Sequence, residues 1–178
     1  MNQDRAIKSR LLEILIFVLS AGTLLYLVSY AFLLWETPER LVLIFIPAVL
    51  VLCVLRSLRE GKFLPLSKRY NVIAAALVIA LLVYSAYYFY SEFHSLLFER
   101  AANNNATDMV LGLALVLIVI VATWKVSGSA IPIVALVFIA YAFLGKYLPP
   151  GNVLYTAGIK FPAFIRFAAI GPDGIFGT

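Results

Sequence analysis

The residue type best suited to acid–base chemistry occurs once in this chain, as His94, two positions from Glu92. An imidazole near a carboxylate is the raw material of proton transfer, but it needs a further group to orient it. Adjacent loop residues with no such partner read as solvated side chains. The single cysteine, Cys53, sits inside an apolar run with no disulfide partner in the chain, so it carries no information about redox compartment. No Cys/His cluster has metal-ligand spacing, and neither a Gly-rich phosphate loop nor a nucleophile elbow is present. The expectation is a protein that is not an enzyme, with no catalytic residue, no bound metal and no cofactor of its own.

The elements that carry these residues are of an unusual kind. Hydrophobic residues make up 63% of the 178 positions and charged residues 13%, with a mean hydropathy of +1.00. Soluble domains carry about 25% charged residues because their surface faces water. So much apolar surface exceeds what one core can absorb, and lipid must solvate the remainder. The net charge of +5 raises nucleic acid as a partner. Its distribution argues against that, because the bases lie between apolar runs, as membrane-flanking charges do.

A spanning helix needs about 20 largely apolar residues to cross roughly 30 Å of hydrocarbon. The apolar runs predict spans over Leu11–Trp35, Leu41–Leu55, Asn71–Tyr90, Met109–Trp124 and Ser129–Leu148, the last ending before Pro149-Pro150. The second is short; it reaches spanning length only with Arg40 and Arg56 at the interfaces, where long basic side chains snorkel. A re-entrant or interfacial segment is its alternative. The first is too long for a signal-peptide h-region and lacks a small-x-small cleavage site, so it reads as a retained anchor.

Lysine and arginine bias gives the orientation. Arg5, Lys8 and Arg10 precede the first span, and Arg56, Arg59, Lys62, Lys68 and Arg69 separate the second from the third. Glu36–Arg40 holds two acids and one base, and Ser91–Asp108 holds three acids and Arg100. The N-terminus and the 56–69 loop are therefore expected in the cytoplasm, and the 91–108 loop outside. Trp35, Tyr84, Trp124, Tyr147 and the run Tyr87-Tyr88-Phe89-Tyr90 fall near span edges, where amphipathic rings prefer the headgroup level. The run reads as an interfacial belt in preference to a ligand cage.

The span interiors hold no Asp, Glu, Lys or Arg at depth, the usual marks of an ion path. Ser20, Thr23, Ser29, Ser85 and Thr123 supply hydroxyls suited to interhelical hydrogen bonds of about 1 kcal/mol each. Small residues (Ala21 and Gly22; Ala74–Ala76 and Ala80; Gly112 and Ala114) read as generic close-packing positions. Beyond Pro149-Pro150-Gly151, Lys160 and Arg166 alternate with Phe161, Phe164, Ile165 and Phe167, a spacing that suits a short helix lying in the interface. The glycine-dense close, Gly171 to Thr178, suits irregular backbone, which at membrane depth requires protein cover or a cavity.

These residues carry a resemblance. Asp108-Met109 opening a span, Gly128 with Ile131-Pro132 at the next turn, Tyr141, Gly145, Tyr147-Leu148-Pro149 and the closing Gly174-Ile175-Phe176-Gly177 resemble the fused membrane subunit of TRAP transporters, TAXI branch. The tetrapeptide is the most specific element, and Asp173 stands where the family often has Glu. A weaker likeness over Arg40–Arg100 is to the small Q-like part of these permeases. The resemblance implies residues 1–107 as a Q-like scaffold with three spans, and 108–178 as the start of an M-like permease region with two spans and an interfacial segment. It further implies ion-driven import of an organic anion, often a carboxylate, handed over by a periplasmic substrate-binding protein. Sodium and substrate would be held by the larger M-like part, as a partner chain or a continuation, and not by this chain. The alternative is a stand-alone structural or interaction protein of the inner membrane. Under either reading the expected fold is all-α: a polytopic transmembrane helical bundle of about five spans, with a C-terminal interfacial or re-entrant segment, in a bacterial or archaeal inner membrane.

Overall fold

A computed structural model describes residues 2–34, 36–61, 63, 67–99, 104–149, 151–170 and 175. Every regular element among them is helical: α1 (Asn2–Leu33), α2 (Pro38–Arg59), α3 (Lys68–Ser91), α4 (Ala106–Ser127), α5 (Ala130–Leu144) and the short α6 (Phe161–Ile165). Single π-turns follow α3 (Ser95–Glu99) and α6 (Arg166–Ile170), and a 3-10 turn (Gly145–Tyr147) ends α5. Five helices are long and apolar enough to cross a membrane, so the chain is a multi-pass membrane protein. The chain forms two compact units, residues 1–94 and 95–177.

In the first unit α2 packs against both α1 and α3. The second span is longer than its apolar run. Pro38 starts the helix, where its missing N–H costs nothing, and Arg56 and Arg59 fall in the last turn. At about 1.5 Å per residue these 22 residues reach about 33 Å, long enough for a full crossing. Pro47 lies within it, buried, with no N–H to offer the Leu43 carbonyl one turn back; membrane helices tolerate this interruption. A small core gathers Val54, Ala75 and Phe63, with Leu58, Val78 and Ile79 around it. Phe63 belongs to the loop, so the α2–α3 connection is pinned from below by its own ring. Along α1, by contrast, none of the apolar spanning window is buried, and Phe17 and Phe32 are 74% and 84% exposed. That surface is the lipid-facing area the composition demands.

In the second unit α4 and α5 form a hairpin turned by Gly128 and Ser129. Gly128 has φ +79° and ψ −167°, a conformation that side chains disfavour. Pro132 falls in the first turn of α5, where a proline is tolerated. After the 3-10 turn the chain folds back on α5: Thr156 N–H donates to the Gly145 carbonyl and Ile159 N–H to that of Ala142. Tyr141 secures the same strap by donating to the Leu154 carbonyl at 2.8 Å. Trp35, Lys62, Arg100, Pro150 and, of the closing tetrapeptide, Gly174, Phe176 and Gly177 lie outside the described residues.

Candidate functional site

The most constrained contact in the second unit is between α4 and the α6 segment. Asn104 donates its side-chain amide to the Pro162 carbonyl at 3.1 Å, which fixes the start of α6 beside the start of α4. Asn105 N–H donates to the Asp108 carboxylate at 2.8 Å, satisfying a donor at the helix start, and Asp108 is fully buried. One turn beyond Asp108, a Cβ on Gly112 would lie 2.5 Å from Ile165 Cγ2 and 3.3 Å from Ala169 Cβ. Ile165 and Ala169 are both fully buried. The two segments therefore run in the same direction, and α6 with its π-turn follows α4 over about 10 Å of rise. The segment expected to be interfacial or re-entrant therefore lies alongside a candidate spanning helix. Phe143 of α5 packs on Phe164 at 5.1 Å between ring centroids, closing the other side.

This seat explains the glycine at position 112. Gly112 is small because α6 occupies the space its side chain would fill, whereas a Cβ on Gly22 would meet nothing within 4 Å. Arg166 opens the π-turn, and its Nη1 is buried without an acceptor among the described residues. An unmet buried donor costs about 1–3 kcal/mol. Ile175, the described member of the tetrapeptide, donates its N–H to the Ala168 carbonyl at 2.8 Å, so residue 175 lies beside the π-turn that follows α6.

A second cluster ties together one end of the first unit. Arg40 pairs with Glu36 at 3.0 Å, and the Glu36 side chain is only 8% exposed. The guanidinium also lies 5.6 Å from the Tyr90 ring centroid and 5.1 Å from that of Phe93, within cation–π range. The Tyr90 hydroxyl stands 3.4 Å from both Glu36 oxygens. The aromatic run therefore divides its labour. At about 100° per residue four consecutive side chains point around most of the helix. Phe89 enters the core, Tyr87 stays exposed, Tyr88 stacks on Tyr84 at 6.3 Å, and Tyr90 joins the clasp.

Four of the five span hydroxyls bond within their own helices, not between helices as expected. Thr23 donates to Leu19, Ser29 to Tyr26, Ser85 to Leu82 and Thr123 to Val119, each to a main-chain carbonyl at 2.8–2.9 Å. Among the described residues no three His, Cys, Asp or Glu side chains gather as a metal ion requires. His94 is exposed at the end of the first unit. The seat of α6 and the Arg40 clasp were not foreseen from sequence, although Gly112 and Arg166 were noticed singly. No protein-family model, curated protein or solved structure matches this chain.

Proposed function

We propose that this chain is the scaffold portion of a TRAP-type secondary transporter. In this reading it serves the ion-driven import of an organic anion, a carboxylate, delivered by a periplasmic binding protein. The observation that carries the proposal is the seating of α6 along α4 at Gly112. Secondary transporters build their sites from interrupted helices within the membrane, and irregular backbone is tolerated there only under protein cover or against a cavity. The π-turn at Arg166–Ile170, covered by α4, has that character. Arg166 adds a buried, unmatched donor of the sign a carboxylate needs. The N-terminus and the basic end of the first unit sit in the cytoplasm of a bacterial or archaeal cell, by the distribution of Lys and Arg. The sodium ion and most of the substrate contacts belong to the larger M-like permease region that works beside this one.

Deletion of the chain in its host, followed by uptake of labelled carboxylates with the binding protein supplied, tests the proposal. Loss of binding-protein-dependent uptake, restored by the wild-type chain, is expected, together with co-purification of a larger polytopic partner. Uptake that proceeds normally in the deletion strain refutes it. The second reading, a stand-alone structural protein of the inner membrane, draws on the self-bonded hydroxyls, which leave the span interiors without free polar groups at those positions. A stable homo-oligomer purified with no transporter partner decides for it.

A further inference from the structure

The charge of this protein is not spread over it. Residues 1–13 carry three bases and two acids, and 56–69 carry five bases and one acid; together they hold the whole net charge of +5, and the rest of the chain balances. The described residues of both segments lie at one end of the first unit, where Arg59 of α2 pairs with Glu13 of α1 at 2.7 Å. Glu60 is likewise taken, by Arg56 at 3.3 Å. Even when paired, the Arg56 and Arg59 side chains remain 78% and 50% exposed. Arg10 and Arg69 are exposed and meet no carboxylate among the described residues.

What lies beside these two arginines narrows the partner. Arg10 is followed by exposed Leu11 and Ile14 on α1, and Arg69 by exposed Tyr70, Ile73 and Leu77 on α3. Each cation therefore stands at the rim of an apolar, uncovered helix face. A soluble polyanion such as nucleic acid would meet the charge and leave the apolar face bare. A molecule with an anionic head and hydrocarbon tails satisfies both at once, and clusters of bases flanking a spanning helix attract the anionic leaflet surface.

We infer that the basic end of α1 and α3 binds anionic phospholipids, with the headgroup phosphate on Arg10 and Arg69 and the acyl chains on the apolar faces beside them. The full chain in neutral detergent micelles, offered phosphatidylglycerol and phosphatidylcholine in equal amounts, retains phosphatidylglycerol preferentially, as read by native mass spectrometry. Arg10→Gln and Arg69→Gln each weaken that retention about fivefold, the equivalent of about 1 kcal/mol per basic residue near an anionic surface. Glu39→Gln, at the opposite end of the unit, leaves it unchanged. Raising the ionic strength of the unaltered chain from 0.1 to about 1 M abolishes the preference, since the Debye length falls from about 10 Å to 3 Å. That arm decides the matter should the arginine variants fail to insert. Equal retention of the two lipids, a preference that survives high salt, or equally tight capture of water-soluble polyphosphate overturns the inference.

Discussion

Gly112 of α4 and Ile165 of α6 meet with no room for one more carbon: a Cβ on Gly112 would stand 2.5 Å from Ile165 Cγ2. Ile165 is fully buried. The absence of a side chain at position 112 is therefore what lets the α6 segment lie along a spanning helix.

Gly112→Ala is expected to destabilise the second unit by about 1–3 kcal/mol, the usual range for overpacking a closed contact. Thermal unfolding of the purified protein in detergent measures this. Ile165→Ala removes the clashing methyl, so Gly112→Ala combined with Ile165→Ala should cost less than the two single changes added together. Strict additivity would mean that the residues do not touch.

The Arg40 clasp makes a second prediction. Arg40→Met leaves the 8%-exposed Glu36 side chain without its cation, and loss of one partner of a buried pair costs about 3–5 kcal/mol. Partial exposure of Arg40, at 39%, pulls the expectation to the lower part of that range. Adding Glu36→Gln to Arg40→Met should recover much of the loss, as read by the same unfolding assay. Arg40→Lys should be less stable than wild type, because an ammonium lacks the planar guanidinium face that Arg40 offers to the Tyr90 and Phe93 rings.

By contrast, Ser85→Ala and Thr23→Ala should change stability by less than about 1 kcal/mol, since each hydroxyl satisfies only a carbonyl of its own helix. Unfolding midpoints and the oligomeric state should both match the wild type. A change of oligomeric state in either variant would show that these hydroxyls bridge helices after all.

Topology gives a fourth prediction. Ser67 and the exposed Glu99 flank α3, the one candidate span between them. Single cysteines at these positions, in a Cys53→Ser background, should react with a membrane-impermeant thiol reagent from opposite sides. Reaction from one side only would remove α3 from the count of crossings.

How much of this was legible beforehand follows from the physics of each feature. Spans follow from local apolar content, and all five stood out. Their ends moved where local chemistry could extend a helix past its apolar run, as Pro38 and Arg59 do for α2. Pairings between distant residues were not legible. Glu36 with Tyr90 depends on how α2 and α3 pack, and Gly112 with Ile165 on a chain reversal that no pattern announces. The hydroxyls misled because a lone Ser or Thr in an apolar span is compatible with both intrahelical and interhelical bonding, and only the neighbours decide. Of the tetrapeptide Gly174-Ile175-Phe176-Gly177, only Ile175 is described, and its bond to Ala168 was not foreseeable from the motif.

The account turns on the α6 segment lying against α4, and a cross-link measures that directly. A Cβ at position 112 would lie 3.3 Å from that of Ala169, near the separation of about 3.5–4.5 Å that a disulfide bridges. Cysteines at 112 and 169, with Ile165→Ala to clear the seat and Cys53→Ser to remove the native thiol, should oxidise to an intramolecular disulfide in native membranes, visible as a mobility shift that reductant reverses. Failure to cross-link, with the thiol at 169 instead freely labelled by an impermeant reagent, would place the segment away from α4 and contradict the account.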